Sequence, residues 1–166
     1  GMTKRKAMIG IVAVASLVVV YFGLSLIIVN QALVAEANPL EKHPDNGLTY
    51  EEVSFAPRDS DDITLRGWWF PKSGAPGTVI WVHGLDSQRS KRLDLVGDLL
   101  DKGLQVLVFD LRGHGESDKA PMGAGLLEQD DLRGAVDFVT SERGVEPGTV
   151  LLMGESFGAS IAIMTG

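Results

Sequence analysis

A long apolar run near the N-terminus constrains this chain more than any other sequence feature. Residues 7–29 form 23 consecutive positions without a charged side chain, AMIGIVAVASLVVVYFGLSLIIV. At about 1.5 Å per residue, a helix of this length crosses a hydrocarbon layer of roughly 30 Å with some tilt. The run therefore predicts a membrane-spanning helix.

The charges that flank this run predict its orientation. Residues 4–6 (KRK) precede it, whereas the first charges after it include Glu36 and Glu41. The positive-inside rule then keeps the N-terminus in the cytoplasm and the rest of the chain outside. A cleaved secretory signal with residues 35–37 as its cleavage site is the alternative, and it would give a secreted domain. The retained anchor is favoured, because the apolar core of a signal is usually only about 7–15 residues long.

Composition removes several classes of function. The chain contains no cysteine, which excludes a disulfide scaffold, a cysteine zinc site and a thiol nucleophile. A net charge of -7, with residues 4–6 as the only tight basic cluster, argues against nucleic acid as a partner. The sequence also lacks the phosphate-binding, HExxH and dinucleotide-binding patterns. We therefore expect no cofactor and no metal site.

The sequence divides into four parts. A basic N-terminus, 1–6, precedes the anchor, 7–29. A tether follows over 30–47 and ends in the polar, proline-punctuated stretch NPLEKHPDNG. The remaining residues, 48–166, are predicted to form one soluble domain.

Hydrophobic periodicity predicts an α/β fold for that domain. Residues 49–56 and 63–70 are rich in β-branched and aromatic residues and flank a turn-forming group, which predicts a hairpin. Short continuous apolar runs are typical of parallel strands buried on both faces, and three occur, at 78–84, 104–110 and 149–154. Helical spacing of apolar residues predicts helices over about 90–102 and 126–141.

The clearest chemical motif is G-x-S-x-G at Gly154–Gly158, between the last predicted strand and a helix-compatible stretch. In this context the flanking glycines allow a sharp turn that projects the hydroxyl of Ser156 above the sheet. A helix beginning there also provides N–H groups for a developing oxyanion. A plainer interpretation is a glycine-rich turn with a helix-capping serine.

Three motifs in this order resemble the α/β-hydrolase superfamily: HGLDS at 83–87, FDLRGHGES at 109–117 and GESFG at 154–158. The closest resemblance is to its serine-hydrolase branch, which includes serine aminopeptidase-like proteins, esterases and lysophospholipases. It covers about residues 48–166. It implies the N-terminal part of the α/β-hydrolase fold, with a mostly parallel sheet, antiparallel lead-in strands and helices on both faces. Aspartate-nucleophile branches are disfavoured, because the residue at the turn is Ser156.

The resemblance also implies roles for individual residues. Ser156 corresponds to the nucleophile, and the backbone N–H groups of Leu85 and Phe157 correspond to the oxyanion hole. Asp86 and His43 are given no catalytic role. The residues expected to shape the site are His83, Gly84, His114, Gly154 and Gly158.

The acid and the histidine of a catalytic triad follow the serine in this fold. Only ten residues follow Ser156 here. We therefore expect the 166 residues to be the N-terminal portion of a longer hydrolase and to be inactive alone.

The predicted function is a membrane-anchored serine hydrolase that cleaves an ester, thioester or peptide bond in a small-molecule, lipid or peptide substrate. The alternative is a non-catalytic relative that uses the fold for binding or as a scaffold. The intact motifs around Ser156 favour the serine hydrolase. Trp68, Trp69 and Trp81 are interpreted as core residues rather than substrate contacts.

Overall fold

The computed structural model describes residues 2–32, 38–44 and 47–166. They belong to two compact units, Gly1–Val34 and Ala35–Gly166. The first contains helix α1, Met2–Ala32, whose stretch Lys4–Gln31 is long and apolar enough to cross a membrane. This helix is compatible both with a membrane span and with a signal sequence. The predicted cleavage site at 35–37 lies outside the described residues.

A five-stranded mixed sheet forms the centre of the second unit, in the order β1-β2-β4-β3-β5. β1 and β2 pair antiparallel, as the predicted hairpin requires, and β2 also pairs antiparallel with β4. β3 is parallel to both β4 and β5. The strands are β1 Glu51–Phe55, β2 Leu65–Phe70, β3 Thr78–Val82, β4 Gln105–Phe109 and β5 Val150–Gly154.

Helices cover the sheet on both faces, which confirms the predicted fold class. Residues of α2 pack in one core cluster, and residues of α3 and α4 pack in the other. All five residues of β3 are buried, because this strand is covered on both faces and paired on both edges. The helices are α2 Leu93–Asp101, α3 Glu128–Asp137 and α4 Phe157–Thr165.

Two predicted helices differ in detail from the observed ones. The helix expected over 90–102 begins as a 3₁₀ turn, Arg89–Arg92, where the Gln88 side chain accepts a hydrogen bond from the Ser90 N–H. The helix expected from residue 126 begins at Glu128. Its carboxylate accepts hydrogen bonds from N–H groups of the preceding loop, which fixes that loop outside the helix.

The second unit extends further toward the N-terminus than the predicted boundary at Leu48. Leu40 and Leu48 pack against the α2-side cluster, and Glu41 forms an ion pair with Lys91, with 3.1 Å between Oε1 and Nζ. The described residues 38–44 are therefore in contact with the domain.

All three tryptophans that were interpreted as core residues are buried. Trp68 and Trp81 lie in the α2-side cluster, and Trp69 lies in the cluster on the opposite face. Tryptophan fluorescence should therefore report the packing of both halves of the core.

Gly134 provides a test of the packing of α3 on the sheet. A Cβ atom at Gly134 would lie 2.2 Å from the carbonyl oxygen of Ala56, so Gly134→Ala should lower the free energy of unfolding by about 1–3 kcal/mol through overpacking. Gly97→Ala in α2 is the matched control. A Cβ there meets nothing within 4 Å, so it should raise that free energy by up to about 1 kcal/mol. Urea unfolding followed by tryptophan fluorescence measures both, and equal effects would contradict the close approach.

Candidate active site

Ser156 occupies the sharp turn between β5 and α4. Its backbone has φ 53° and ψ -116°, a conformation that costs a residue other than glycine of order 1–3 kcal/mol. Such a conformation persists only where the surrounding structure imposes it. The side chain of Ser156 makes no hydrogen bond that caps α4. The plainer interpretation, a helix-capping serine, is therefore not what the structure displays.

The two glycines of the motif are required by backbone contacts. A Cβ atom on Gly154 would lie 2.3 Å from the carbonyl carbon of Gly158. A Cβ atom on Gly158 would lie 2.2 Å from the carbonyl oxygen of Val82, at the end of β3. Both distances are shorter than any side chain allows, so only glycine lets α4 begin directly against β5 and β3.

The parallel pairing of β3 with β5 brings the loop after β3 beside the turn that holds Ser156. Val82 is opposite Gly154 in the register, and the Glu155 N–H donates a 3.1 Å hydrogen bond to the Val82 carbonyl oxygen. A Cβ atom on Gly84 would lie 3.6 Å from the Cβ of Ser156. The HGLDS and GESFG motifs therefore form adjacent walls of one site, although they are distant in sequence.

A cavity of about 320 Å³ opens between these walls. Gly84, Leu85 and Ser156 line it, and Phe157, which follows Ser156 in the chain, is the first residue of α4. Asp86, which also lines the cavity, has φ 51° and turns the loop directly after Leu85. The remaining lining residues are Asn38, Pro39, Glu41, Ser87, Gln88, Lys91 and Glu155.

His83 is fully buried beneath the loop after β3. Its Nε2 accepts a 3.0 Å hydrogen bond from the Leu111 N–H, which leaves the proton on Nδ1, 2.7 Å from the Gly84 carbonyl oxygen. Burial lowers the pKa of His83 to about 3, the hydrogen bond to Gly84 opposes that shift, and the nearby His114 adds to it. The ring is therefore neutral at ordinary pH, and both of its nitrogens are engaged by backbone groups.

The other two histidines also lie away from the cavity walls. His114 is buried, with Nδ1 3.0 Å from the Arg112 carbonyl oxygen, and its ring centroid lies 5.0 Å from that of His83. The His43 ring lies 5.6 Å from Trp68. Of the described residues that line the cavity, none is a histidine.

A buried ion pair supports the loop after β4, and sequence reasoning did not find it. Arg89 and Asp110 pair through their side chains, and these are only 2% and 0% exposed. Asp110 also accepts hydrogen bonds from the N–H groups of Arg89 at 2.7 Å and Glu116 at 2.9 Å. Asp110 lies in the FDLRGHGES motif, but no local pattern marks Arg89, which is 21 positions away.

A second buried pair joins the same loop to α3. The guanidinium of Arg112 binds Asp131 and Asp59, and the Arg112 N–H donates to Asp131 at 2.9 Å. Together the two pairs fix the loop around His114 from both sides. Within the described part of the chain, no group of three or more His, Asp or Glu side chains is arranged to hold a metal ion.

Comparisons with known proteins agree with this geometry. A family model described as serine aminopeptidase, S33, matches residues 74–166. The YfhR protein of Salmonella typhimurium is 35% identical over 129 residues, which are 71% of this chain and 43% of YfhR. The Rv2307c protein of Mycobacterium tuberculosis is 37% identical over 105 residues, 62% of this chain and 37% of that protein.

Among solved structures, the esterase Pf2001 of Pyrococcus furiosus matches with a TM-score of 0.70 and 28% identity, over 79% of this chain and 51% of that chain. The resemblance to the α/β-hydrolase superfamily is thereby confirmed. The chain spans about half the length, or less, of these relatives.

His83 leads to a prediction about pH. An unfolded histidine has a pKa of about 6.5, whereas the pKa of folded His83 is about 3. Between these values the unfolded state binds more protons, so the free energy of unfolding falls as the pH falls through this window. His83→Gln keeps one donor and one acceptor but does not titrate.

The free energy of unfolding should therefore fall less for His83→Gln than for the unsubstituted protein between about pH 7.5 and about pH 5. Urea unfolding at the two pH values measures this. Because other groups titrate in the same window, the difference between the two proteins is the relevant quantity. Equal losses in both proteins would contradict the assignment of a buried neutral imidazole.

Proposed function

Because this chain belongs to the family described as serine aminopeptidase, S33, within the α/β-hydrolases, we propose that it carries the nucleophile of a serine hydrolase. The observation that carries this proposal is Ser156, held at φ 53° and exposed in a cavity beside the loop after β3. A strained, exposed serine at the end of a parallel strand is the arrangement that nucleophilic catalysis on this fold uses.

In the proposed reaction the Ser156 hydroxyl oxygen attacks the carbonyl carbon of the substrate, and a base takes the hydroxyl proton. The N–H groups of Leu85 and Phe157 stabilise the oxyanion that forms. Phe157 suits this role, because the first N–H groups of a helix have no partner within the helix. The tetrahedral intermediate then expels the alcohol, thiol or amine, which takes the proton from the base. Water hydrolyses the acyl-enzyme and releases the acid.

The histidines of this chain are poor candidates for the base. Both nitrogens of His83 are engaged by backbone groups, and no histidine is among the described residues that line the cavity. We therefore assign the base and its acid partner to the part of the family fold that this chain does not span. In this mechanism His83 and His114 shape the site, together with Gly84, Gly154 and Gly158.

The proposed substrate is a small-molecule or lipid ester, with thioesters and peptides as further members of the class. The likeness to the esterase Pf2001 favours an ester, whereas the family description favours a peptide. The proposal further assigns α1 as a membrane anchor, with the hydrolase domain outside the cytoplasm.

Labelling with a fluorophosphonate probe tests the nucleophile. In a longer protein that contains this chain and the rest of the family fold, the probe should label Ser156, and Ser156→Ala should abolish the labelling. Ser160→Ala is the matched control, because Ser160 lies one turn further along α4 and should have no effect. The 166-residue chain should label at least about a hundredfold more slowly, since removal of a triad member costs at least that much.

Two outcomes would contradict this proposal. Rapid labelling of the 166-residue chain would show that a base is already present among its three histidines. Absence of labelling in the longer protein would instead favour the non-catalytic alternative, in which the fold serves as a binding or scaffold module.

Protease accessibility tests the membrane topology. Protease added to intact spheroplasts should remove the domain that follows residue 36, while the basic residues 4–6 stay protected inside. Digestion of a cytoplasmic marker protein must be absent in the same sample. Full protection of the domain, or a mature soluble chain that begins at Asn38, would contradict a retained anchor with an external domain.

A further inference from the structure

We propose that residues 38–41 form a specificity-determining wall of the substrate cavity beside Ser156. This inference rests on the proposed function, because it assigns a role to the cavity in which that serine acts. Asn38, Pro39 and Glu41 line the same cavity as Leu85 and Ser156. A segment that the sequence marks only as a polar tether thus contributes directly to the site.

Leu40 holds this wall in place from the core side. It packs against the α2-side cluster, whereas its neighbours Pro39 and Glu41 line the cavity. Further along, Pro44 is buried and the His43 ring lies beside Trp68. Packing at these positions attaches residues 38–41 to the domain that holds the serine.

An ion pair connects residues 38–41 to the opposite side of the cavity. Glu41 Oε1 lies 3.1 Å from Lys91 Nζ, and both residues line the cavity. Lys91 belongs to the 3₁₀ turn Arg89–Arg92, which the buried pair of Arg89 and Asp110 anchors to the sheet. The Lys91 side chain therefore extends from a turn that is attached to the sheet. The ion pair between Lys91 and Glu41 is itself exposed to solvent, and such pairs contribute little free energy. We infer that the pair positions the wall rather than stabilises the fold.

The chemistry of this wall indicates which substrates fit. The polar groups that this wall presents are the amide of Asn38 and the charged groups of Glu41 and Lys91. An alkyl group packed here would take these polar groups out of water without a partner, which is unfavourable. A hydroxylated group can instead bind them. The structure therefore favours an ester whose group on this side carries hydroxyls.

Two esters with one acyl group test this preference in the longer protein. Glyceryl monobutyrate and butyl butyrate differ in the hydroxyls of the alcohol. Asn38→Leu should lower the ratio of kcat/KM for the glyceryl ester to that for the butyl ester by about threefold to tenfold, as expected when one polar contact is replaced by an apolar one. The change should be mainly in KM.

Charge reversal tests the positioning role of the ion pair. Glu41→Lys and Lys91→Glu should each lower the same ratio by about threefold, and the double variant should restore it to within about twofold. Lys42→Glu is the matched control. It changes the charge at the next position, which does not line the cavity, and should leave the ratio unchanged.

Limited trypsin digestion gives a readout that does not depend on activity. Lys91→Glu should speed cleavage after Lys42 by about threefold, because the segment opens more often. Glu41→Gln removes the same ion pair without creating a further tryptic site, and it should have the same effect. The Lys42→Glu variant identifies the cleaved bond, since it removes that site.

The outcomes separate this inference from the proposed function. If the probe labels Ser156 normally while Asn38→Leu and the reversals leave the ester ratio unchanged, the wall is contradicted and the nucleophile stands. If the unsubstituted longer protein is not labelled, the proposed function is contradicted and the inference falls with it.

Discussion

The close approach of three backbone segments, β3, β5 and the start of α4, is the constraint on which the site depends. Gly158 lies against the Val82 carbonyl and Gly154 against the first turn of α4, at distances that exclude any side chain. Only two residues connect β5 to α4, and the second of them takes the strained conformation. That residue is Ser156, and its positive φ is the consequence. The unfavourable backbone conformation of Ser156 is therefore offset by the packing of the surrounding residues.

Buried polar groups near the site connect the loops around it to one another. His83 connects the loop after β3 to Leu111, and Asp110 connects the loop after β4 to the turn before α2 through Arg89. Removal of one partner from a buried ion pair leaves an uncompensated charge, which costs about 3–5 kcal/mol. These connections therefore hold the loops in one arrangement. Leu85 itself is exposed at the surface of one of these loops.

Sequence patterns predicted the elements of this fold better than the contacts between them. The apolar runs and helical spacings identified all five strands and the helices α2 and α3, because burial on one or both faces leaves a periodic trace. The G-x-S-x-G context identified the turn at Ser156, since glycine is required there by backbone geometry. By contrast, the partners of Arg89 and Arg112 are remote in sequence and leave no periodic signal. The cavity contribution of residues 38–41 was missed for the same reason, because a polar, proline-punctuated stretch is equally typical of a loose linker.

The candidate site combines backbone groups with side chains, and these two kinds of group depend on the fold in different ways. The conformation of Ser156 and the N–H groups beside it are properties of the backbone, and every contact that imposes them lies between Val82 and Gly158. A catalytic base is instead a side chain, which any suitably placed loop can present. The strained turn therefore forms without that base, since neither Gly154 nor Gly158 depends on it. Under the proposed function, the N–H groups of Leu85 and Phe157 would need no reorganisation to bind the oxyanion, and such preorganisation lowers a barrier. Under the proposed function, the base would set the rate of attack, whereas the geometry of attack would come from the turn at Ser156 and the loop after β3.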